Sequence, residues 1–268
     1  MAATRSEHTP PVVMVLAGND PSGGAGLCAD QEAIASQGCH PAPVVTALTV
    51  QDTHNVHRLQ PVAAELVLAQ ARAILADIPV SAIKIGLIGS AENARAIASL
   101  LRGHPHLPVV LDPVLRAGGG KSLMDDDARN ALDELLETVT VLTPNGEEAR
   151  LLCAGQNELD ACGRTLLRRG SEFVLITGGH EQEEGLINRL YTEGRPVETY
   201  TWPRLPGAFH GSGCTLASAI TGLIAQGREP RAAIHQAQDY TFQTLSSAYR
   251  LGQGQSIPNR LFWARRGE

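Results

Sequence analysis

Phe209-His210-Gly211-Ser212-Gly213-Cys214-Thr215-Leu216-Ala217-Ser218-Ala219-Ile220 begins as a turn and ends as a helix. Gly211 and Gly213 let the backbone fold tightly and approach a ligand closely. From Thr215 to Gly222 the residues are small or apolar, so the stretch predicts a helix whose first N–H groups point into the turn. Those donors and the helix dipole favour an anion there. Cys214 stands among them, where a thiolate is stabilised and its pKa lowered. The stretch alone supports two readings. One is an anion hole with a built-in proton acceptor; the other is a glycine-rich helix entry with a buried small cysteine.

Outward from this turn the chain alternates apolar runs with helical stripes. Val12–Gly18 reads as a strand buried on both faces, and Val44–Val50, Ala82–Leu87, Val109–Leu111, Thr140–Thr143 and Phe173–Thr177 read as further strands. Helices are expected over Leu27–Gln37, Ala63–Ala76, Ala91–Leu101, Asp125 to about Glu137, Pro144 onward, and Leu159–Arg169. Asn188–Tyr191 and Val197–Trp202 form a hairpin about Glu193-Gly194. The glycine-turn helix follows, then a last helix from about Arg231 to Tyr249. Phe262 and Trp263 in the tail are expected to dock on the body. Strand–helix alternation of this kind predicts a mostly parallel sheet covered on both faces. With no linker or repeat, residues 1–268 read as one domain, 1–11 being a loose arm.

The totals exclude several function classes. A net charge of −6 over 268 residues argues against a nucleic-acid surface. No run of 18 apolar residues exists, so no membrane span is expected, and the first residues lack a signal-peptide core. The five cysteines include no C-x-x-C pair, which fits neither a disulfide framework nor a zinc site and suits a reducing cytoplasm.

Several positions carry chemistry. Asn19-Asp20-Pro21-Ser22-Gly23-Gly24-Ala25-Gly26 is a glycine-rich turn between strand and helix, without the G-x-G-x-x-G spacing of a dinucleotide fold. Lys84 inside a strand either needs a partner or snorkels to the sheet end; the snorkel is the simpler reading. Asp112 at a strand's carboxyl end is placed to meet a metal or phosphate. Gly118-Gly119-Gly120-Lys121-Ser122 ends like a P-loop, but Leu115 stands where the pattern needs Gly. Capping explains Asp125-Asp126-Asp127 better than metal binding. Asn145 and Glu148 share a helix face, as ligands of hydrated Mg²⁺ or as a capping box, and capping is the better account of the pair alone.

Taken in order, these motifs resemble the hydroxymethylpyrimidine/phosphomethylpyrimidine kinases of thiamine biosynthesis, in the ribokinase-like superfamily. The resemblance runs from about Val12 to Tyr249. It rests on residues 17–26, 46–53, Ile-Lys-Ile-Gly (83–86), Leu-Asp-Pro-Val (111–114), Thr-Pro-Asn with Glu148, Gly-Gly-His (178–180) and His-Gly-Ser-Gly-Cys-Thr (210–215). It implies a ribokinase-like three-layer α/β/α sandwich and a cytoplasmic, dimeric kinase. The kinase would phosphorylate 4-amino-5-hydroxymethyl-2-methylpyrimidine and then its monophosphate, using ATP and Mg²⁺. By family position, Gly211, Ser212, Gly213 and Cys214 would hold the γ-phosphate, with Cys214 accepting the hydroxyl proton. Gln51 would pair with the aminopyrimidine edge, and Gly18, Asp30, Thr49 and Leu87 would complete that pocket. Lys84, Asp112, Asn145, Thr177 and Gly179 would meet ATP, while Asp112 and Glu148 would place Mg²⁺, in part through water.

This chain departs from the pattern at Thr177, where many relatives carry a Lys near the nucleotide phosphates; Lys84 or Lys121 is left to compensate. Ser212 replaces Thr, Leu87 replaces Met, and Asn19 and Ala208-Phe209 replace commoner polar residues. Three rivals remain: a pyridoxal kinase, a non-catalytic pyrimidine- or nucleotide-binding regulator, and covalent catalysis by Cys214.

Overall fold

The computed structural model describes residues 9–116, 123, 126–154, 156–178 and 185–264. Strand β1 (Val12–Asn19) is its axis. Val13, Val15 and Ala17 pack into one apolar cluster and Met14 and Leu16 into another. Both faces of the strand are therefore buried, which is why its sequence runs apolar without alternating. β2 (His40–Gln51) and β4 (Val80–Ile85) flank it in parallel. β5 (Val109–Leu111), β6 (Val141–Leu142) and β7 (Phe173–Ile176) continue the parallel run. Antiparallel strands complete the edges: β3 (Val56–Pro61) on β2, β8 (Leu186–Thr192) on β7, and β9 (Glu198–Trp202) on β8. The order is β3-β2-β1-β4-β5-β6-β7-β8-β9. The chain passes from β1 through α1 to β2 on one side and returns from β3 through α2 to β4 on the other, so a crevice opens beyond the carboxyl ends of these strands.

One face is covered by α2 (Ala64–Asp77), α3 (Ala91–Arg102), α4 (Asp126–Ala131), α5 (Asp133–Leu136), α6 (Gly146–Leu152) and α7 (Leu159–Arg168). The other is covered by α1 (Gly26–Ser36), α8 (Ser212–Ala225) and α9 (Pro230–Ser246). This is the three-layer α/β/α arrangement that the alternation predicts. Helix α8 is buried at every residue from Thr215 to Ile224, as expected of a helix apolar all round. Burying a Leu or Ile side chain contributes about 1.5–3 kcal/mol, so Leu216, Ile220 and Leu223 hold this helix, and with it its N-terminus, firmly in place.

Three local expectations need correction. β3 has no counterpart in the sequence reading, because Val56-His57-Arg58-Leu59-Gln60-Pro61 is polar and largely exposed. Its turn is closed by Asp52, whose Oδ1 accepts from the N–H groups of His54 (2.7 Å) and Asn55 (3.0 Å). The helix expected through Glu137 is divided into α4 and α5, its start at Asp125 lying outside the described residues. In the tail, Phe262 packs on Tyr240, but Trp263 is 60% exposed and held by an Nε1–H bond to Ser36 Oγ.

Candidate active site

The crevice is a cleft of about 510 Å³, lined by the ends of β1, β2, β4 and β5 and by the start of α8. Gly211 caps α8 in the left-handed region (φ 72°), with no side chain capping the helix. The first N–H groups, at Ser212, Gly213 and Cys214, thus face the cleft without the i−4 partners of a helix interior. A side chain at 211 would strain the backbone and collide with the Gly24 carbonyl oxygen. The turn therefore closes directly on the loop after β1.

That loop is organised by Asp20. Its carboxylate accepts from Ser22 N (2.8 Å), Ser22 Oγ (2.9 Å), Ala25 N (2.9 Å) and His210 Nε2 (2.7 Å). Burial works against its charge, but the bonds from His210 and Ser22 hold its pKa below the ordinary carboxylate value. The terminal amide of Gln51 lies between Thr49 Oγ1 (3.2 Å) and the same His210 Nε2 (2.9 Å). Gly18 and Leu87 close a second side; a Cβ at 18 would stand 2.8 Å from Leu87 Cδ2. Gly18, Thr49, Gln51 and Leu87 all face the cleft, as do Asp112, Asn145, Glu148 and Thr177. Gly179 lies outside the described residues, as do Lys121 and the rest of the 118–122 stretch.

Three sequence expectations are overturned. Lys84 does not snorkel. Its side chain is 0% exposed and its Nζ stands 2.8 Å from Asp30 Oδ1, itself 0% exposed. Burial disfavours the ammonium, yet Asp30 above all, with Cys214 and Asp112, holds its pKa above the ordinary value. It is a fixed cation under the site rather than a mobile phosphate arm. Gly86 makes room for it, since a Cβ there would stand 2.6 Å from Nζ. Asp30, expected in the pyrimidine pocket, lies behind the cleft wall, where it also accepts from Ser218 Oγ at 2.7 Å. Its contribution is the charge that balances Lys84.

The third correction concerns Cys214. Desolvation pushes its thiol up to about 12, Asp112 and Asp30 adding to the rise. Lys84 and the Gly26 N–H pull the other way without prevailing. A helix start alone does not generate a thiolate when two carboxylates stand close by.

Across the cleft, Asn145 and Glu148 form the capping box of α6. Glu148 N donates to Asn145 Oδ1 (2.9 Å) and Asn145 N donates to Glu148 Oε2 (3.0 Å). Glu148 is pushed up to about 8 by burial and then by Asp112. Asp112 is raised too, by burial against the pull of Lys84. Two buried carboxylates with raised proton affinity, Glu148 in part because Asp112 is near, suit a hard, oxygen-loving cation such as Mg²⁺, which keeps waters and shares phosphate oxygens. Among the described residues no cluster of three or more His, Cys, Asp or Glu side chains forms a metal cage. Arg116 and Arg204 also line the cleft, while Asn188 Oδ1 accepts from Gly178 N at 2.9 Å and so holds Gly178 in place.

The sequence reading did not single out Asp20, His210, Arg116, Arg204 or Asn188. Asp20-Pro21-Ser22 carried an Asx-turn signal and His210 opened the His-Gly-Ser-Gly-Cys-Thr motif, though no role was read for either; the places of Arg116, Arg204 and Asn188 depend on distant segments.

A model of the family described as "Phosphomethylpyrimidine kinase" matches residues 20–259. The hydroxymethylpyrimidine/phosphomethylpyrimidine kinase of Streptomyces coelicolor is 34% identical over 260 residues, 95% of this chain and 96% of that protein. The chain spans only 33% of the multifunctional thiamine biosynthesis protein ThiED of Corynebacterium efficiens and 52% of the bifunctional ThiED of Geobacter sulfurreducens, at 35% and 36% identity. Among solved structures, the phosphomethylpyrimidine kinase of Clostridium difficile superposes with a TM-score of 0.77 at 30% identity, covering 88% of this chain and all of that one. A pyridoxal kinase of Bacillus subtilis gives 0.87 at 25% identity, over 96% and 100%. No helix among the described residues is long and apolar enough to cross a membrane. With the family matched over most of its length, and the family's motifs gathered in one cleft, the chain belongs to the phosphomethylpyrimidine kinases.

Proposed function

We propose that the protein, acting as one kinase domain, transfers the γ-phosphoryl group of ATP to 4-amino-5-hydroxymethyl-2-methylpyrimidine and then to its monophosphate. The observation that carries this reading is the meeting, in one cleft, of Gln51 with the uncapped start of α8. The acceptor oxygen forms a bond to the γ-phosphorus as the bond from that phosphorus to the β–γ bridging oxygen breaks. Such transfer depends mainly on alignment and charge stabilisation. The N–H groups at Ser212–Cys214 receive the equatorial oxygens, and the fixed Lys84 cation lies beneath. Arg116 and Arg204 supply further positive charge where Thr177 supplies none.

Asp112 and Glu148 would hold Mg²⁺ through oxygen and water, and the ion would neutralise phosphate charge when bound. Cys214 takes the proton of the alcohol in the first step. A desolvated thiolate is a strong base, matched to an alcohol proton, but it is scarce near neutral pH, so the alcohol step is the slower one in acid. The second acceptor, a phosphate monoester with a pKa of ~6, needs little such help. We also infer a cytoplasmic homodimer, on the family resemblance.

A second reading, a pyridoxal kinase, is supported by the close superposition on the Bacillus subtilis enzyme. One experiment separates the two. ATP-dependent phosphorylation is followed with the hydroxymethylpyrimidine, its monophosphate and pyridoxal, for wild type and Cys214→Ala. Turnover of both pyrimidines, with the alcohol step hit hardest by the substitution, supports the main reading. Preference for pyridoxal moves it to the second, and no turnover with any acceptor rejects both.

A further inference from the structure

His210 Nε2 is a single ring nitrogen facing two groups: Asp20 Oδ2 at 2.7 Å and the Gln51 amide at 2.9 Å. A ring nitrogen carries one proton or one lone pair, never both. Asp20 is a carboxylate whose Oδ2 already accepts from Ser22 Oγ and Ala25 N. It therefore accepts from His210 as well, and Nε2 carries the proton, whatever Nδ1 carries. An amide NH₂ pointed at that N–H would set donor against donor. The amide atom facing His210 is thus the oxygen of Gln51, oxygen and nitrogen of a carboxamide being told apart by their partners. The NH₂ then faces Thr49 Oγ1 at 3.2 Å, and the Thr49 hydroxyl donates to the Asn19 carbonyl at 2.9 Å. In this arrangement no donor faces a donor, the single Nε2–H being shared between Asp20 Oδ2 and the Gln51 oxygen.

The ring of His210 is fixed where it stands. Its backbone N–H donates to Ser256 O at 2.8 Å, and a Cβ at Gly24 would run into the imidazole edge. Thr49 and Gln51 are two apart on β2 and so share a face.

We infer that His210, anchored by Asp20, sets the polarity of the Gln51 amide and thereby selects which way round an aminopyrimidine ring lies in the cleft. The inference rests on the proposed pyrimidine substrate. Gln51 offers an acceptor on the His210 side and a donor on the Thr49 side. A 4-aminopyrimidine answers with its amine and its ring N3 in that order. The 5-hydroxymethyl group is next to the amine on the ring, so it falls on the His210 side, where the chain continues directly into Gly211–Cys214. The opposite polarity would turn the hydroxymethyl group toward Thr49 and away from the helix start. His210 is a positioning residue, acting through Gln51.

The test compares kcat/KM for the 4-amino compound and its 4-oxo counterpart, whose ring N–H and carbonyl reverse donor and acceptor. Wild type should prefer the amine by at least about a hundredfold. His210→Phe removes the N–H, frees the amide to turn over, and should narrow the preference to within about tenfold. His210→Gln places an amide N–H near the Nε2 position and should restore the preference, a rescue that a merely structural role does not produce. Thr49→Val weakens the same polarity from the other end and should narrow the ratio partly; it decides the matter if His210→Phe does not fold. An unchanged ratio in the folded His210→Phe or, failing that, in Thr49→Val overturns the inference. Wild type that leaves the 4-amino compound unphosphorylated overturns the functional reading instead, so the two failures are distinct.

Discussion

Replacing Lys84 with Met shortens the side chain by one atom and removes its charge, leaving Asp30 as a buried carboxylate that still accepts from Ser218 Oγ. Both members of the pair are 0% exposed, so solvent offers no relief. Breaking a buried pair from one side costs about 3–5 kcal/mol, because the orphan charge stays desolvated. For a chain of this size that is a fall of roughly 6–20 °C in Tm. Asp30→Leu together with Lys84→Met should recover most of the loss, since an apolar pair of similar volume is often neutral. The assay is urea and thermal unfolding of wild type, both single variants and the double variant, read as a thermodynamic cycle. The sign with pH is fixed. The folded pKa of Lys84 is raised, so the stabilisation is complete below the unfolded value of ~10.4 and is lost only as pH climbs beyond it. A single-variant loss under about 1 kcal/mol, or a double variant no better than the single, would refute the reasoning.

Four further outcomes are expected. Glu148 sits at about 8, so Mg²⁺ must displace its proton. The apparent metal affinity should fall about tenfold per pH unit below 8, measured as the Mg²⁺ dependence of the rate, and a flat profile would refute the assignment. Because that pKa is raised rather than depressed, the metal-free fold holds Glu148 protonated where the unfolded chain ionises it, and so loses stability as pH rises from the ordinary value of ~4.3 toward 8. Glu148→Gln should therefore raise Tm at pH 8 while abolishing the metal response. Gly211→Ala forces φ 72° on a side chain that meets the Gly24 carbonyl. A stability loss of about 1–3 kcal/mol is expected, with kcat/KM falling far more than Tm, both checked on the purified variant. Arg260 is buried and donates to Thr215 Oγ1 (2.8 Å), Gly24 O (2.5 Å) and Glu32 (3.1 Å). Arg260→Met should cost about 2–4 kcal/mol by orphaning those acceptors, read by denaturant unfolding.

Much of this molecule is legible in local pattern. Apolar runs buried on two faces marked β1 and β4–β7, glycines marked the turns, and Asn145 with Glu148 announced a capping box, because each depends on neighbours within a turn or a strand. The resemblance to the kinase family likewise rests on short motifs in order. Tertiary structure alone decided what those motifs do to one another. β3 escaped notice because an exposed edge strand needs no apolar alternation. The partner of Lys84 lies on another element, His210 meets Asp20 across 190 residues, and Arg260 reaches Gly24 across 236. The thiol of Cys214 rises rather than falls because desolvation and the nearby carboxylates outweigh Lys84 and the Gly26 N–H. Pattern in a sequence reports the faces that must be buried; charge, polarity and proton affinity depend on which distant groups burial brings together.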